Sequence, residues 1–171
     1  MTILSGNLLA NITGGVFTES NVLIEYDVMS DSPASILATY LAQQLITTVP
    51  STGSTWPLWV GSLPPGTNNA GAIYNTSPIK DGRHMSTGFV VKHYGVQVKI
   101  RSTNEENGWN KCNSIQGLFD TVHNVNITIG TTVYQIQNIS QVSGIIPLGS
   151  EPGTVRRYLF TMNFLVTLKE V

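Results

Sequence analysis

The sequence predicts an α+β domain: a mixed, mostly antiparallel sheet of about six strands with two helices packed on one face. Three observations carry that prediction. Residues 30–46 and 104–123 repeat apolar side chains at helical spacing behind capping residues. Residues 89–101 and 156–168 alternate, as strands with one buried face do. Turn residues, among them Pro64-Pro65-Gly66-Thr67-Asn68-Asn69 and Gly130, separate the remaining short apolar runs.

The elements follow in order. In VLIEYDV, residues 22–28, Val22, Ile24, Tyr26 and Val28 share one face and Leu23, Glu25 and Asp27 the other. Thr13-Gly14-Gly15 upstream could turn an earlier strand onto it. Residues 1–32 are expected to be an N-terminal arm or extra hairpin, set apart from a main domain over residues 33–171 by a family resemblance that begins at residue 33. In the first helix Ser32 or Asp31 caps the start and Pro33 takes the first helical position, where its missing N–H costs nothing. Ile36, Leu37, Tyr40, Leu41 and Leu45 form its stripe. Residues 56–65 and 70–77 read as two short strands around the Pro-Pro-Gly turn. Residues 75–88 have no periodicity and contain Pro78, Gly82 and Gly88. They read as an exposed loop, mobile in a free subunit and ordered by a neighbour.

From residue 89 alternation takes over. Val90, Lys92, Tyr94, Val96, Val98 and Ile100 share one face; Val91, His93, Gly95, Gln97, Lys99 and Arg101 share the other. The second helix starts at Asn104 or Asn107 and buries Trp109, Cys112, Ile115, Leu118, Phe119 and Val122. Gly117 inside it costs about 1 kcal/mol relative to Ala, which suggests close packing on the sheet. Residues 125–140 form a hairpin through Gly130. The last strand turns Tyr158, Phe160, Met162, Phe164, Val166 and Leu168 inward.

Charge is sparse and unevenly placed. Only 11% of residues are charged, against roughly a quarter in ordinary soluble domains. Residues 32–79 contain no Asp, Glu, Lys or Arg, a run of 48 residues, and all nine cations lie at or beyond Lys80. Residues 1–79 carry four acids and no base, while residues 80–171 carry nine bases and six acids. Protein interface cores are depleted in charge, so this distribution favours assembly over a merely neutral polar surface.

Chemistry is hard to find. The single cysteine, Cys112, excludes an intrachain disulfide and a Cys-rich zinc site, and lies on an apolar stripe. P-loop, G-x-S-x-G and H-E-x-x-H patterns are absent. Asp81, His84 and His93 could in principle hold a metal, but a loop histidine and a strand-surface histidine explain them more simply. His123, three residues from Asp120, reads as a cap at a helix C-terminus. No cofactor is expected. With a pI near 6.3 and no Lys/Arg-rich run, the footprint of a DNA-binding protein is missing. The opening residues lack a basic n-region and no segment approaches a membrane span, so the expectation is a soluble protein made in a reducing cytosol, its Asn-x-Ser/Thr sequons fortuitous.

Several segments together resemble the tail-terminator (tail-completion, minor capsid) proteins of long-tailed bacteriophages. They are SILATYLAQQL, WPLWVGSLPPGTNNAGAIYNT, DGRHMSTGFVVKHYGVQVKIRS, GWNKCNSIQGLFD and LGSEPGTVRRYLFTMNFLVTL, spanning residues 33–168. The most specific piece is Asp81-Gly82-Arg83-x-Met85, then Gly88, then His93-Tyr94-Gly95-Val96-Gln97-Val98 running into Arg101. Trp56-Pro57, Leu148-Gly149-x-Glu151 and the final strand led by Arg156 and Arg157 agree with it. The resemblance implies a small subunit of a six-membered ring at the head-proximal end of the tail, which ends tube polymerisation and joins tail to head. Its partners would be itself, the tail-tube protein and a head-side connector or stopper, with genomic DNA passing through without sequence-specific binding. It implies a virion component made in the bacterial host cytoplasm, not an enzyme. Asp81, Gly82, Arg83, Met85, Lys99, Arg101, Arg156 and Arg157 are the expected interface residues. Lys99 and Arg101 are expected to meet acids of a neighbour, with Glu25 and Asp27 the candidates. Two alternatives stand beside this: another neck or tube component, head-closure or tail-tube, or a ligand-binding or enzymatic domain centred on the loop between Asp81 and His93.

Overall fold

The computed structural model describes residues 29–51, 53–83, 90–153 and 155–171. The expected strand at residues 22–28 lies outside them. The chain runs α1 (Pro33–Gln43), β1 (Leu58–Val60), β2 (Ala70–Arg83), β3 (Val90–Ser102), α2 (Glu105–Asp120), β4 (His123–Ile129), β5 (Thr132–Glu151) and β6 (Arg157–Glu170). The six strands form one sheet in the order β1-β2-β3-β6-β5-β4. Only β1 with β2 is parallel; every other pair is antiparallel. The α+β class and the mixed, mostly antiparallel six-stranded sheet are as the sequence predicts.

One core holds it together. Tyr94, Val96, Val98 and Ile100 of β3 stand in register with Val166, Phe164, Met162 and Phe160 of β6. Both helices pack on that face, α1 touching β1, β2, β3 and β4, and α2 touching β3, β5 and β6. Ser32 Oγ accepts the Ser35 N–H at 3.2 Å, and Asn75 Oδ1 on β2 accepts the Ala34 N–H at 2.9 Å. Two donors orphaned at the start of α1 are thus satisfied, and the helix is pinned over β2. Asn104 does the same for α2 through the Asn107 N–H at 2.9 Å.

The helix stripes need two corrections. α1 stops at Gln43, and Leu45 sits at φ 58 and 89% exposed. Ile46 packs against the core instead, because the turn after Gln44 brings it back over Leu41. In α2 the buried line is Gly108, Cys112, Ile115 and Phe119, while Trp109 is 43% exposed and only edges Phe160. The close approach is at Gly108: a Cβ there would sit 2.5 Å from the Phe160 ring. A Cβ at Gly117 would meet nothing within 4 Å, so the tight contact expected of Gly117 belongs to Gly108.

The strands depart further from expectation. Residues 75–83 are not loop. They continue β2, which pairs with β3 as far as Arg83 opposite Val90. Irregularities between Thr76 and Ile79 and between Lys80 and Arg83 break the alternation, and Pro78 sits inside the first, where no ladder hydrogen bond is required of it. That bulge presses on β3 at Gly95, where any Cβ would collide with Thr76 Oγ1 and the Ser77 carbonyl. The strand expected over residues 56–65 shrinks to β1 and runs parallel to β2 rather than forming a hairpin with it. β5 continues past Ser140 to Glu151, whereas β4 covers it only as far as Asn138.

Candidate interaction surface

The face of the sheet opposite the helices is built from the odd-numbered residues of β3 and their partners: His93 beside Thr167, Gln97 beside Asn163, Lys99 beside Thr161, Arg101 beside Leu159. Polar chains cross it between strands. Gln97 Nε2 donates to Asn163 Oδ1 at 3.1 Å, and Asn163 Nδ2 donates to Ser143 Oγ at 3.1 Å, linking β3, β6 and β5. Nearer the end where Arg83 pairs with Val90, His93 Nδ1 lies 2.8 Å from Thr167 Oγ1 and Nε2 lies 2.9 Å from Asp81 Oδ2. A neutral ring with its proton on Nε2 satisfies both contacts: it donates to Asp81 and accepts from the Thr167 hydroxyl.

At the other end of the face, two arginines share one acid. Arg101 is 6% exposed; its Nη2 donates to Glu151 Oε1 at 2.7 Å and its Nη1 to the Pro64 carbonyl at 2.7 Å. Arg157 Nη1 stands 4.0 Å from Glu151 Oε2, and Arg157 also donates to Asn68 Oδ1 and the Gly66 carbonyl. The Pro-Pro-Gly segment is thereby strapped to the end of the sheet. Such geometry suits Arg, whose planar fork serves several acceptors at once.

Past His93, where the pairing of β3 with β6 stops, β2 and β3 carry on as a two-stranded ribbon in which Lys80 stands opposite Lys92 and Arg83 opposite Val90. Residues 75–81 of β2 are exposed. Lys80 and Lys92 stand directly opposite one another, and neither is ion-paired among the described residues. Lys92 Nζ lies over the Tyr94 ring at 4.8 Å.

The residues singled out from sequence are therefore distributed unevenly. Arg101 and Arg157 converge on Glu151. Asp81 meets His93. Gly82 and Arg83 end β2, Lys99 lies over the Tyr74 ring at 5.3 Å, and Arg156 lies over the Tyr158 ring at 5.1 Å. Met85, His84, Glu25 and Asp27 lie outside the described residues. Arg101 differs from expectation, since the acid it meets is Glu151 of its own chain. No group of three or more His, Cys, Asp or Glu side chains gathers at metal-binding distance among the described residues. Thr167, Asn163 and Ser143 gave no signal in sequence because only strand register brings them to Gln97 and His93.

Burial sets the reactive groups apart from this face. Cys112 is fully buried, and its thiol is pushed up from 9.0 to about 12 by desolvation. Desolvation also lowers the Lys111 ammonium, which donates to the Ile46 carbonyl at 2.8 Å and lies over Trp56. Tyr134 is raised by burial first and then by its hydrogen bond to Asp31 at 2.8 Å. Among the described residues no helix is long and apolar enough to cross a membrane. No protein-family model matches the sequence, and no curated protein matches it.

Proposed function

We propose that the chain is a structural virion protein, a subunit of a hexameric ring at the head-proximal end of a long-tailed phage tail. It stops polymerisation of the tail tube and joins the tail to the head connector. The observation that carries this reading is the helix-free face of the sheet. Gln97, Asn163 and Ser143 there are neutral and hydrogen-bonded in series, its arginines are held by Glu151 and backbone carbonyls, and Lys99 is drawn over the Tyr74 ring. A wall past which DNA must slide cannot grip phosphates, because each cation that pairs with one adds to affinity by counterion release. The resemblance over residues 33–168 and the charge-poor first half support the same reading. The ring takes the tube protein on one side and a connector or stopper on the other, carries no cofactor, and performs no catalysis.

Removal of the gene from the phage is the test. Heads and tails that fail to join, with tails of uncontrolled length, are expected. Joined particles with tails of normal length would overturn the proposal. A head-closure or tube component is the neighbouring reading; a copy number that scales with tail length would favour the tube.

The chain Asp81, His93, Thr167 is the one observation favouring a reactive site, since it sets a hydroxyl, an imidazole and a carboxylate in series. It is also what a cross-strand polar ladder on an open sheet face looks like. Asp81 is 59% exposed, too wet to orient a catalytic base strongly. Head–tail joining that survives His93→Ala is expected under the structural reading.

A further inference from the structure

We infer that residues 22–26 of this chain add a further strand to the sheet, lying parallel to β4 along its outer edge. This holds whether or not the chain closes into a ring.

β4 ends the strand order, and among the described residues no strand pairs with its outer side. The other open stretches of strand carry devices that resist pairing. β5 beyond Asn138 is irregular between Gln141 and Ser143, between Ser143 and Ile146, and between Pro147 and Gly149. β2 beyond Ile73 carries Pro78, two irregularities and the exposed Lys80. β1 has only three residues. Bulges, prolines, lysines and shortness are the usual means of blunting an edge. From Val125 to Ile129, β4 has none of these: it holds no Pro and no charge, and its register with β5 is unbroken. Its apolar side is also incompletely covered. Ile127 is buried, but Val125 and Ile129, which pack against the same core, are only partly so.

The path of the chain names the occupant. The Ser30 N–H donates to the Glu170 carboxylate at 3.0 Å, and the Asp31 N–H to the Tyr134 hydroxyl at 3.0 Å. Glu170, Tyr134 and Ile127 stand side by side on β6, β5 and β4. From there the chain travels toward β2, where the Ala34 N–H meets Asn75. Followed in the other direction, it heads across the same rung toward β4. A strand beyond β4 lies three spacings from β6, about 14 Å, which about four extended residues cover. Residue 26 is therefore where the chain comes into line with β4.

Direction and register follow. Only Thr128 and Ile129 of β4 lie past Ile127 on the hairpin side. To gain more partners than these, the segment must come from the His123 end, which makes it parallel to β4. Tyr26 then stands beside Ile127 and Ile24 beside Val125, extending the apolar face over the partly covered margin. Glu25 falls beside the exposed Asn126 on the wet face. A slip of one residue would turn Glu25 onto the apolar margin, so the alternation of VLIEY fixes this register.

The test uses the full chain with Glu25→Cys and Asn126→Cys together, mildly oxidised at micromolar protein. Buried Cys112 stays silent. A disulfide within one chain is expected in most molecules. The pair Glu25→Cys, Ser77→Cys, which would need the opposite side of the sheet, is expected to stay reduced. No disulfide from the first pair, or equal yields from both, would overturn the inference. Bonds between chains would overturn it too, since they would give the segment to a neighbour's β4. A second variant needs no oxidation: Ile24→Asp in the full chain is expected to speed amide hydrogen exchange in residues 125–129 and to leave β3 unchanged. Exchange in β4 as slow as in the unaltered chain would contradict the inference.

Discussion

Arg101 and Glu151, 50 positions apart in sequence, meet at 2.7 Å with the arginine almost wholly out of water. The pair joins β3 to the end of β5, and Arg157 braces the same carboxylate. Removing one partner leaves a buried charge uncompensated, a loss of about 3–5 kcal/mol in comparable cases. Glu151→Gln and Arg101→Glu are both expected to lower the urea midpoint of the isolated chain strongly. Lys99→Glu, on the same face but only half-buried over Tyr74, is expected to change it little. Equal midpoints for the Arg101 and Lys99 variants would show that the buried pair contributes nothing to the fold.

Two glycines in α2 are expected to respond with opposite signs. Gly108 lies against Phe160, so Gly108→Ala forces the helix away from the sheet, at a cost of about 1–3 kcal/mol. Gly117 faces open space with helical backbone, so Gly117→Ala gains roughly 0.4–1 kcal/mol by stiffening the unfolded chain. Thermal melts of the two variants check this, and destabilisation by both would mean that α2 is seated differently.

Lys80 and Lys92 oppose each other across the ribbon, and like charges directly opposite destabilise a pair of strands. Lys80→Glu converts the repulsion into attraction, worth roughly 0.2–1 kcal/mol. Slower amide hydrogen exchange in residues 79–83 and 90–93 is the expected readout, with the rest of the sheet unchanged. Faster exchange in the ribbon would contradict it.

Cys112 makes the alkaline side of the stability profile legible. Its folded-state value is raised from 9.0 to about 12, so folding retains a proton that the unfolded thiol would release. The contribution is fully present below pH 9 and is lost as pH rises toward 12. Three units correspond to at most about 4 kcal/mol. Cys112→Ala is expected to flatten that part of the profile, and maleimide is expected to label the native protein only after denaturation. Rapid labelling at neutral pH would place the thiol at the surface.

How much of this was readable beforehand depends on whether a signal is local. Helix caps are: Ser32 and Asn104 announce themselves within three residues, and both hold. The alternating faces of β3 and β6 were also readable, because one side of each strand is continuously buried. β2 beyond Asn75 was not. With both faces wet there is no hydrophobic alternation, and two irregularities erase what remains. The far half of β5 was missed for the same reason. In α2 the apolar stripe suggested Trp109 and Leu118, but Gly108 carries the contact. A residue without a side chain is invisible to a hydrophobic pattern. As for the surface, sequence singled out Arg101, Arg157 and Asp81, and could not identify what they touch within the chain. Glu151, Thr167 and Asn68 are brought to them by register and by a folded-over turn, neither of which is written in any short stretch.

The most direct measurement is a reconstruction of the intact phage particle with this chain located in the map. One ring of six copies is expected between the tail tube and the head connector, with the Gln97 and Asn163 face of each sheet toward the DNA channel. The chain in any other part of the particle, or in a ring of another symmetry, would contradict the proposal.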